Sequence, residues 1–221
     1  MTNPFLTVVD ALNSGGVEYA IVGGFAVVMH GSNRFTPDVD IIVNLEGTNP
    51  ERAVDALLRS NLEPSGGVGP AEFSNAEARQ RWVTEGKYFL SFYDCQVPTF
   101  RVDLLNNPPV SFKDLAAGLA HISVSAIDVP LCGFDDLLRM KELAGRGQDR
   151  MDVANLKLAR EIQLAAGDRA TLDQLLDNPP QDFERERIED LIQFSHFSGE
   201  EKLDWLLEML TKLGRFCLLD G

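Results

Sequence analysis

Two acidic residues at the start of an apolar segment have a spacing that suits metal chemistry. Asp38 and Asp40 open the run Asp-Val-Asp-Ile-Ile-Val, whose β-branched composition predicts a strand. Side chains two positions apart on a strand lie on the same face, so both carboxylates point the same way. At a separation of about 4 Å they would repel by roughly 4 kcal/mol at an effective dielectric constant near 20. A shared cation or a shared proton relieves that repulsion, and if it is a cation, oxygen ligands favour Mg²⁺ or Mn²⁺.

A third carboxylate lies on another apolar strand. Asp103 stands within Arg-Val-Asp-Leu-Leu, in a predicted strand over 99–105. A sheet can place this strand beside 39–43, and three such carboxylates can hold two divalent cations, one activating a nucleophile and one binding a triphosphate. The alternative is that these aspartates are solvated turn residues that bind nothing.

A pair of glycines precedes the acidic strand. Gly23 and Gly24 follow a predicted strand over 17–22 and come before a short apolar run. A backbone without side chains can approach a phosphate closely, and the free N–H groups of a following helix face it. An ordinary tight turn is the alternative. One short helix and a loop separate the pair from Asp38, enough to bring both to the same end of adjacent strands.

The elements needed to position these residues are those of a mixed α/β protein. Strands alternate with helices up to about residue 160, and two of the strands, over 88–93 and 99–105, are joined by a hairpin-length connection. After residue 168 the pattern is helical throughout. We therefore expect an α/β (α+β) fold in which helices flank a mixed β-sheet. We place its core at 1–160 and an acidic helical C-terminal region at 161–221.

The order of these motifs resembles the nucleotidyltransferase superfamily of DNA polymerase β-like folds. The glycine pair, a short helix, a loop with Arg34, Asp-x-Asp on a strand and a later strand aspartate follow one another as they do there. More narrowly, Val-Gly-Gly-Phe-Ala-Val with the following His-Gly and Arg-Phe-Thr-Pro-Asp-Val-Asp looks like the small bacterial nucleotidyltransferases. These include the nucleotidyltransferase-like toxins of abortive-infection (type IV toxin–antitoxin) systems. A helical lysine, Lys141, followed by Arg-x-x-Asp-x-x-Asp is similar to the group's second helical motif.

The resemblance implies a role for each matching residue. Asp38, Asp40 and Asp103 would bind the metal ions, with Asp103 as the candidate general base. Nucleotide phosphates would be contacted at four residues: Gly23, Gly24, Lys141 and, unless it pairs with a neighbouring aspartate, Arg34. Arg146, Asp149 and Asp152 would support this site; a solvated ion-pair network is the alternative for them. The chain has Gly-Gly where many members have Gly-Ser, so a hydroxyl that would touch phosphate is absent.

Composition limits the partners. The 221 residues carry 34 acidic against 20 basic side chains, a net charge of −14 that disfavours a broad nucleic-acid-binding surface. The odd count of three cysteines suits reduced thiols in a cytoplasmic protein, and the sequence shows no candidate membrane span or secretory signal. The charge favours a cationic small molecule or a protein as acceptor over a long nucleic acid.

Together these features predict a Mg²⁺-dependent (or Mn²⁺-dependent) transfer of a nucleoside monophosphate from an NTP to an acceptor hydroxyl. The acceptor, an RNA end, a protein or a small molecule, is left open, as is a toxin-like role with a cognate antitoxin or a second copy of the chain as partner. Two alternatives remain: hydrolysis with water as the acceptor, and a catalytically weak or inactive binding module that acts through a protein partner.

Overall fold

The computed structural model describes residues 3–65, 69–97 and 99–217, and the side chains up to residue 212. Eleven α-helices and seven strands are found in these ranges, which confirms the expected mixed α/β fold. The strands are β1 Tyr19–Val22, β2 Asp38–Val43, β3 Leu62–Pro64, β4 Phe89–Asp94, β5 Arg101–Leu105, β6 Ala120–Val124 and β7 Ile127–Leu131. The helices are α1 Pro4–Ser14, α2 Gly23–Met29, α3 Asn49–Arg59, α4 Pro70–Ser74, α5 Ala76–Thr84, α6 Phe112–Leu115, α7 Phe134–Ala144, α8 Gly147–Leu164, α9 Arg169–Asp177, α10 Arg185–Ser195 and α11 Gly199–Cys217.

The strands form one mixed sheet in the order β3-β4-β5-β2-β1-β7-β6. β2 runs parallel to β5 and β1 parallel to β7, while the other neighbours are antiparallel. The predicted hairpin of β4 and β5 is confirmed. Parallel pairing at the centre of the sheet means that β2 and β5 begin at the same edge, where their acidic residues lie.

Alternate residues of the central strands serve two different cores. Ile41 belongs to the core that α1, α3 and α11 cover, whereas Ile42 packs on the opposite face with α6, α7 and α8. Because side chains alternate along a strand, Asp38 and Asp40 share the face of Ile42. The acidic residues therefore point towards α7 and α8.

The C-terminal helices pack on the rest of the protein. In α11, Leu203, Leu206 and Leu210 are buried in the same core as α1. Helix α8 crosses the proposed boundary at residue 160 and packs against α10 through Leu158 and Ile162. The division at 160 stays a prediction. None of the helices in the described ranges is long and apolar enough to cross a membrane.

Candidate active site

The register of the two central parallel strands brings the predicted acidic residues together. Asp40 of β2 lies opposite Asp103 of β5, and Asp38 lies opposite Arg101. Opposed residues of parallel strands have their side chains on the same face of the sheet. The predicted neighbourhood of the two strands is confirmed, and it places three carboxylates and one guanidinium on one patch of the sheet.

This patch forms a wall of a cavity of about 580 Å³ between the sheet and the helices α7 and α8. All of the residues predicted for the site line the cavity except Asp152, which is buried beside it. The predicted residues in its wall are Gly23, Gly24, Arg34, Asp38, Asp40, Asp103, Lys141, Arg146 and Asp149. Residues from the β1–α2 turn, the loop before β2, β2, β5, α7 and the start of α8 thus meet in one place.

Two of the three carboxylates are in surroundings that oppose their negative charge. Asp103 is only 4% exposed, and its Oδ1 atom has no hydrogen-bond partner. Burial raises the pKa of Asp103, and the side-chain hydroxyl of Ser91 and then the nearby Arg101 guanidinium work against that rise. For Asp40, burial and then repulsion from Asp103 and Asp38 raise the pKa to about 6. A cation placed among these oxygens would stabilise their ionised forms.

Arg101 partly neutralises the carboxylates. Its guanidinium donates to Oδ2 of Asp38 at 2.6 Å, and its Nε lies 3.3 Å from Oδ2 of Asp103. With these side-chain positions, no three acidic, histidine or cysteine residues of the described ranges form a group that could hold a metal ion. Arg101 was not among the residues predicted for the site, although it lies two residues before Asp103 on the same face of one strand.

Asp38, Asp40 and Asp103 are nevertheless the residues that could hold a divalent metal. All their donor atoms are carboxylate oxygens, which hard cations such as Mg²⁺ prefer. The unpartnered buried oxygen of Asp103 is one vacant donor. Arg101, whose side chain is 45% exposed, would have to turn towards solvent, away from Asp38 and Asp103, for the metal to bind.

The glycine pair is required by close contacts. Gly23 has a φ of +65°, and a Cβ atom there would lie 1.8 Å from Oδ2 of Asp40. At Gly24 a Cβ atom would lie 2.5 Å from Oγ1 of Thr36. An L-residue at Gly23 would be strained in its backbone and would also displace the carboxylate. The turn therefore brings bare backbone against the acidic patch.

Lys141 belongs to a buried network of ion pairs. Its side chain is almost fully buried, with Nζ 3.2 Å from Oδ1 of Asp149 and 2.8 Å from Oδ2 of Asp152. Arg146 adds a 2.6 Å contact from Nε to Asp149. Both aspartates are 0% exposed, so the ion-pair network that was the alternative for this group is present, but its acids are buried and only Arg146 is largely exposed. Both acids contact the lysine at the cavity wall.

Arg34 pairs with an aspartate that is distant in the sequence. Its NH1 donates to both oxygens of Asp152, at 3.0 and 2.7 Å, across 118 positions of the chain. The alternative that Arg34 pairs with an aspartate is what the structure shows, although the partner comes from α8 and is not a neighbour in the sequence. One face of Arg34 remains in the cavity wall.

Comparison with known proteins gives no family assignment. No protein-family model and no curated protein matches the sequence. Among solved structures, the chain is similar to the lincosamide antibiotic adenylyltransferase LnuA in its lincomycin-bound crystal structure. The two are 13% identical, the match covers 71% of this chain and 96% of that chain, and the TM-score is 0.46.

Two further solved structures are similar. One is the antibiotic-resistance factor ANT(2'')-Ia, 10% identical over 98% of this chain and 93% of that one, with a TM-score of 0.42. The other is an antigenic nucleotidyltransferase-like protein from Paracoccidioides brasiliensis, 17% identical over 86% and 91%, with a TM-score of 0.46. With scores below 0.5 these likenesses do not establish what this chain does; the case for its function rests on the residues of the cavity.

Proposed function

We propose that this protein is a nucleotidyltransferase that moves a nucleoside monophosphate from an NTP to an acceptor hydroxyl with the help of Mg²⁺ or Mn²⁺. The observation that carries the proposal is the patch of three carboxylates in one cavity wall, with one buried oxygen of Asp103 left without a partner. A fold accepts such crowded acids at a cost in stability, and a divalent cation offsets it.

In the proposed reaction the acceptor oxygen attacks the α-phosphorus. A new P–O bond forms, the bond between the α-phosphorus and the bridging oxygen breaks, and pyrophosphate leaves with that electron pair. The hydroxyl proton passes to a carboxylate, for which Asp103 is the candidate because burial raises the pKa of its carboxyl. Bound metal would supply positive charge against the triphosphate.

The cations of the cavity suit the phosphate chain. Lys141 and Arg146 stand in its wall, opposite the acidic patch, and both are held in place by Asp149. Positioned charges of this kind stabilise the phosphate charge that builds up during transfer. Gly23 and Gly24 leave the backbone open on the side of Asp40, where a phosphate could approach.

One observation favours the alternative of an inactive binding module. Arg101 already pairs with Asp38 and Asp103, and Lys141 already pairs with two buried aspartates, so the site is electrostatically supported without a ligand. Such a protein would act through a partner. Its acidic C-terminal region would dock a basic partner such as a cognate antitoxin, and a second copy of the chain is the other candidate. For either function we propose a cytoplasmic location.

A thermal-shift titration tests the proposed function. The melting temperature is measured with each of ATP, GTP, CTP and UTP, with and without Mg²⁺. A ligand at 100 times its dissociation constant adds about 2.7 kcal/mol, which for a chain of this size raises the melting temperature by about 5–11 °C. We expect a shift that requires Mg²⁺ and that Asp40→Asn abolishes, because this substitution removes one negative charge from the metal ligands.

The matched control is Asp55→Asn, which removes an exposed carboxylate of α3 far from the cavity. It should retain the whole shift. A protein that shows no Mg²⁺-dependent shift with any of the four nucleotides would contradict the proposed enzyme and favour the binding module. Loss of the shift in both variants would show that Asp40 has no special role.

A further inference from the structure

A second cavity, of about 530 Å³, adjoins the candidate active site. It lies between α8 and the segment that leads into α10, and Arg34 and Gln148 line both cavities. These two side chains both donate to the buried Asp152, so they form the partition between the cavities. A molecule in the second cavity would therefore be next to the acidic patch.

Arginine dominates the charge of this second cavity. Arg34, Arg150 and Arg187 all contribute to its wall, against one acid, the exposed Asp182. The positive charge of Arg34 is already paired with the carboxylate of Asp152. Within the described residues, however, neither Arg150 nor Arg187 forms an ion pair: Arg150 donates to the carbonyl oxygen of Gly145 at 2.7 Å. In a chain with a net charge of −14, this local excess of positive charge is unusual.

Arg187 is the more informative of the two unpaired arginines. It is half-buried and donates to the amide oxygens of Asn33 and Asn155, both neutral acceptors. Burial lowers the pKa of its guanidinium, and Asp190 one turn further on opposes that effect. A guanidinium has five N–H donors and binds carboxylate or phosphate through two of them at once. An anion would compensate the cost of holding this cation partly out of water.

Apolar side chains complete the cavity. Met151 is 60% exposed there, and Phe183 and Ala154 form a further part of the wall. An aromatic ring and a thioether beside several guanidinium groups suit a ligand with a flat apolar part and an anionic group.

We infer that this arginine cavity, formed around Arg34, Arg150 and Arg187, binds the acceptor, and that the acceptor is a small molecule carrying a phosphate or carboxylate group. The role of the bound molecule as acceptor rests on the proposed function. The existence of the anion site does not depend on it. It reverses the expectation from overall charge that a cationic small molecule is favoured, because the local charge of this cavity is positive.

Direct binding of simple probes tests the inference. Phenyl phosphate, benzoate and benzylammonium are titrated into the ¹⁵N-labelled protein, and backbone amide shifts are followed by two-dimensional NMR. We expect one or both anions to shift the amides of Gly147, Gln148 and Phe183, with benzylammonium far weaker. Comparison of phenyl phosphate with benzoate shows whether the cavity prefers a phosphate or a carboxylate group.

Two variants locate the site. Arg187→Gln and, separately, Arg150→Gln should each weaken the binding of the anion by about tenfold, since each removes charged hydrogen bonds. Arg150 is exposed, so its variant keeps the test valid if Arg187→Gln disturbs folding. Arg59→Gln on the exposed face of α3 is the matched control and should bind like the unmodified protein.

The outcomes separate this inference from the proposed function. Asp40→Asn should bind the anion normally while losing the Mg²⁺-dependent nucleotide shift. Arg187→Gln should bind the anion more weakly while keeping that nucleotide shift. The inference is overturned if neither anion binds, if benzylammonium binds as tightly, or if the two arginine variants bind as the control does. Anion binding without any nucleotide effect would leave the site standing and refute the nucleotidyltransferase.

Discussion

The guanidinium of Arg101 offsets part of the repulsion among the three carboxylates of the acidic patch. It reaches Asp38 and Asp103, while Asp40 keeps a pKa of about 6 because burial and its two acidic neighbours act on it together. A divalent cation would carry twice the charge into the same patch. Arg101 and a metal ion therefore compete for the same oxygen atoms, and each weakens the binding of the other to the carboxylates.

This competition predicts that Arg101→Gln binds divalent metal more tightly. Removing a unit positive charge about 4 Å away favours a divalent ion by up to about 8 kcal/mol at an effective dielectric constant near 20. Arg101 is 45% exposed, so screening reduces this, and we expect about tenfold tighter binding. Bound and free Mn²⁺ are measured by electron paramagnetic resonance.

Arg81→Gln provides the comparison for this experiment, because Arg81 is well exposed and does not line the candidate active-site cavity. Its affinity for Mn²⁺ should equal that of the unmodified chain. Equal binding by Arg101→Gln would show that the arginine does not compete with the metal, and weaker binding would show that it supports the metal site. Absence of Mn²⁺ binding in every variant would count against the proposed enzyme as well.

At the scale of the element, the turn from β1 into α2 is shaped around Asp40. Gly23→Ala should cost about 1–2 kcal/mol for the left-handed backbone alone, and more because the new Cβ atom would overlap the Asp40 carboxylate. The variant should also lose the Mg²⁺-dependent nucleotide shift. Chemical denaturation measures the first effect and thermal shift the second.

A second glycine separates the two causes. Gly47 has nearly the same positive φ, +59°, but a Cβ atom there would meet nothing within 4 Å. Gly47→Ala should therefore show only the backbone cost and keep the nucleotide shift. If the two variants lose equal stability, the close approach of Gly23 to Asp40 has no energetic consequence.

The elements that carry the acidic patch could be predicted because strand periodicity is local. The spacing of Asp38 and Asp40 placed both on one face, and apolar residues around Asp103 indicated a strand that could be their neighbour. The burial of Asp149 and Asp152 could not be predicted, since it depends on how α8 packs on α7. The pairing of Arg34 with Asp152 spans 118 positions, and no local pattern reports such a contact.

At the scale of the whole molecule, helix α8 joins the predicted core, 1–160, to the predicted C-terminal region, 161–221. Leu156 packs in the core under α7, whereas Leu158 and Ile162 pack with α10. Its first turns carry Asp149 and Asp152 for the candidate active site, and Arg150 for the arginine cavity. Any movement of α10 relative to α8 would therefore change the width of the arginine cavity, because Arg187 lies on α10.

The packing of α11 predicts how the protein unfolds. Leu206 is 2% exposed and lies in the same core as the buried residues of α1 and β1. Leu206→Ala should lower the free energy of unfolding by about 2–5 kcal/mol through lost burial and a cavity. If the C-terminal helices and the sheet form one cooperative unit, the loss appears in a single transition, seen alike by far-ultraviolet circular dichroism and tryptophan fluorescence. Leu164→Ala, which truncates a side chain that is 79% exposed near the end of α8, should change the stability very little. Two separate transitions, of which only one moves in Leu206→Ala, would instead support an independent C-terminal region beginning near residue 161.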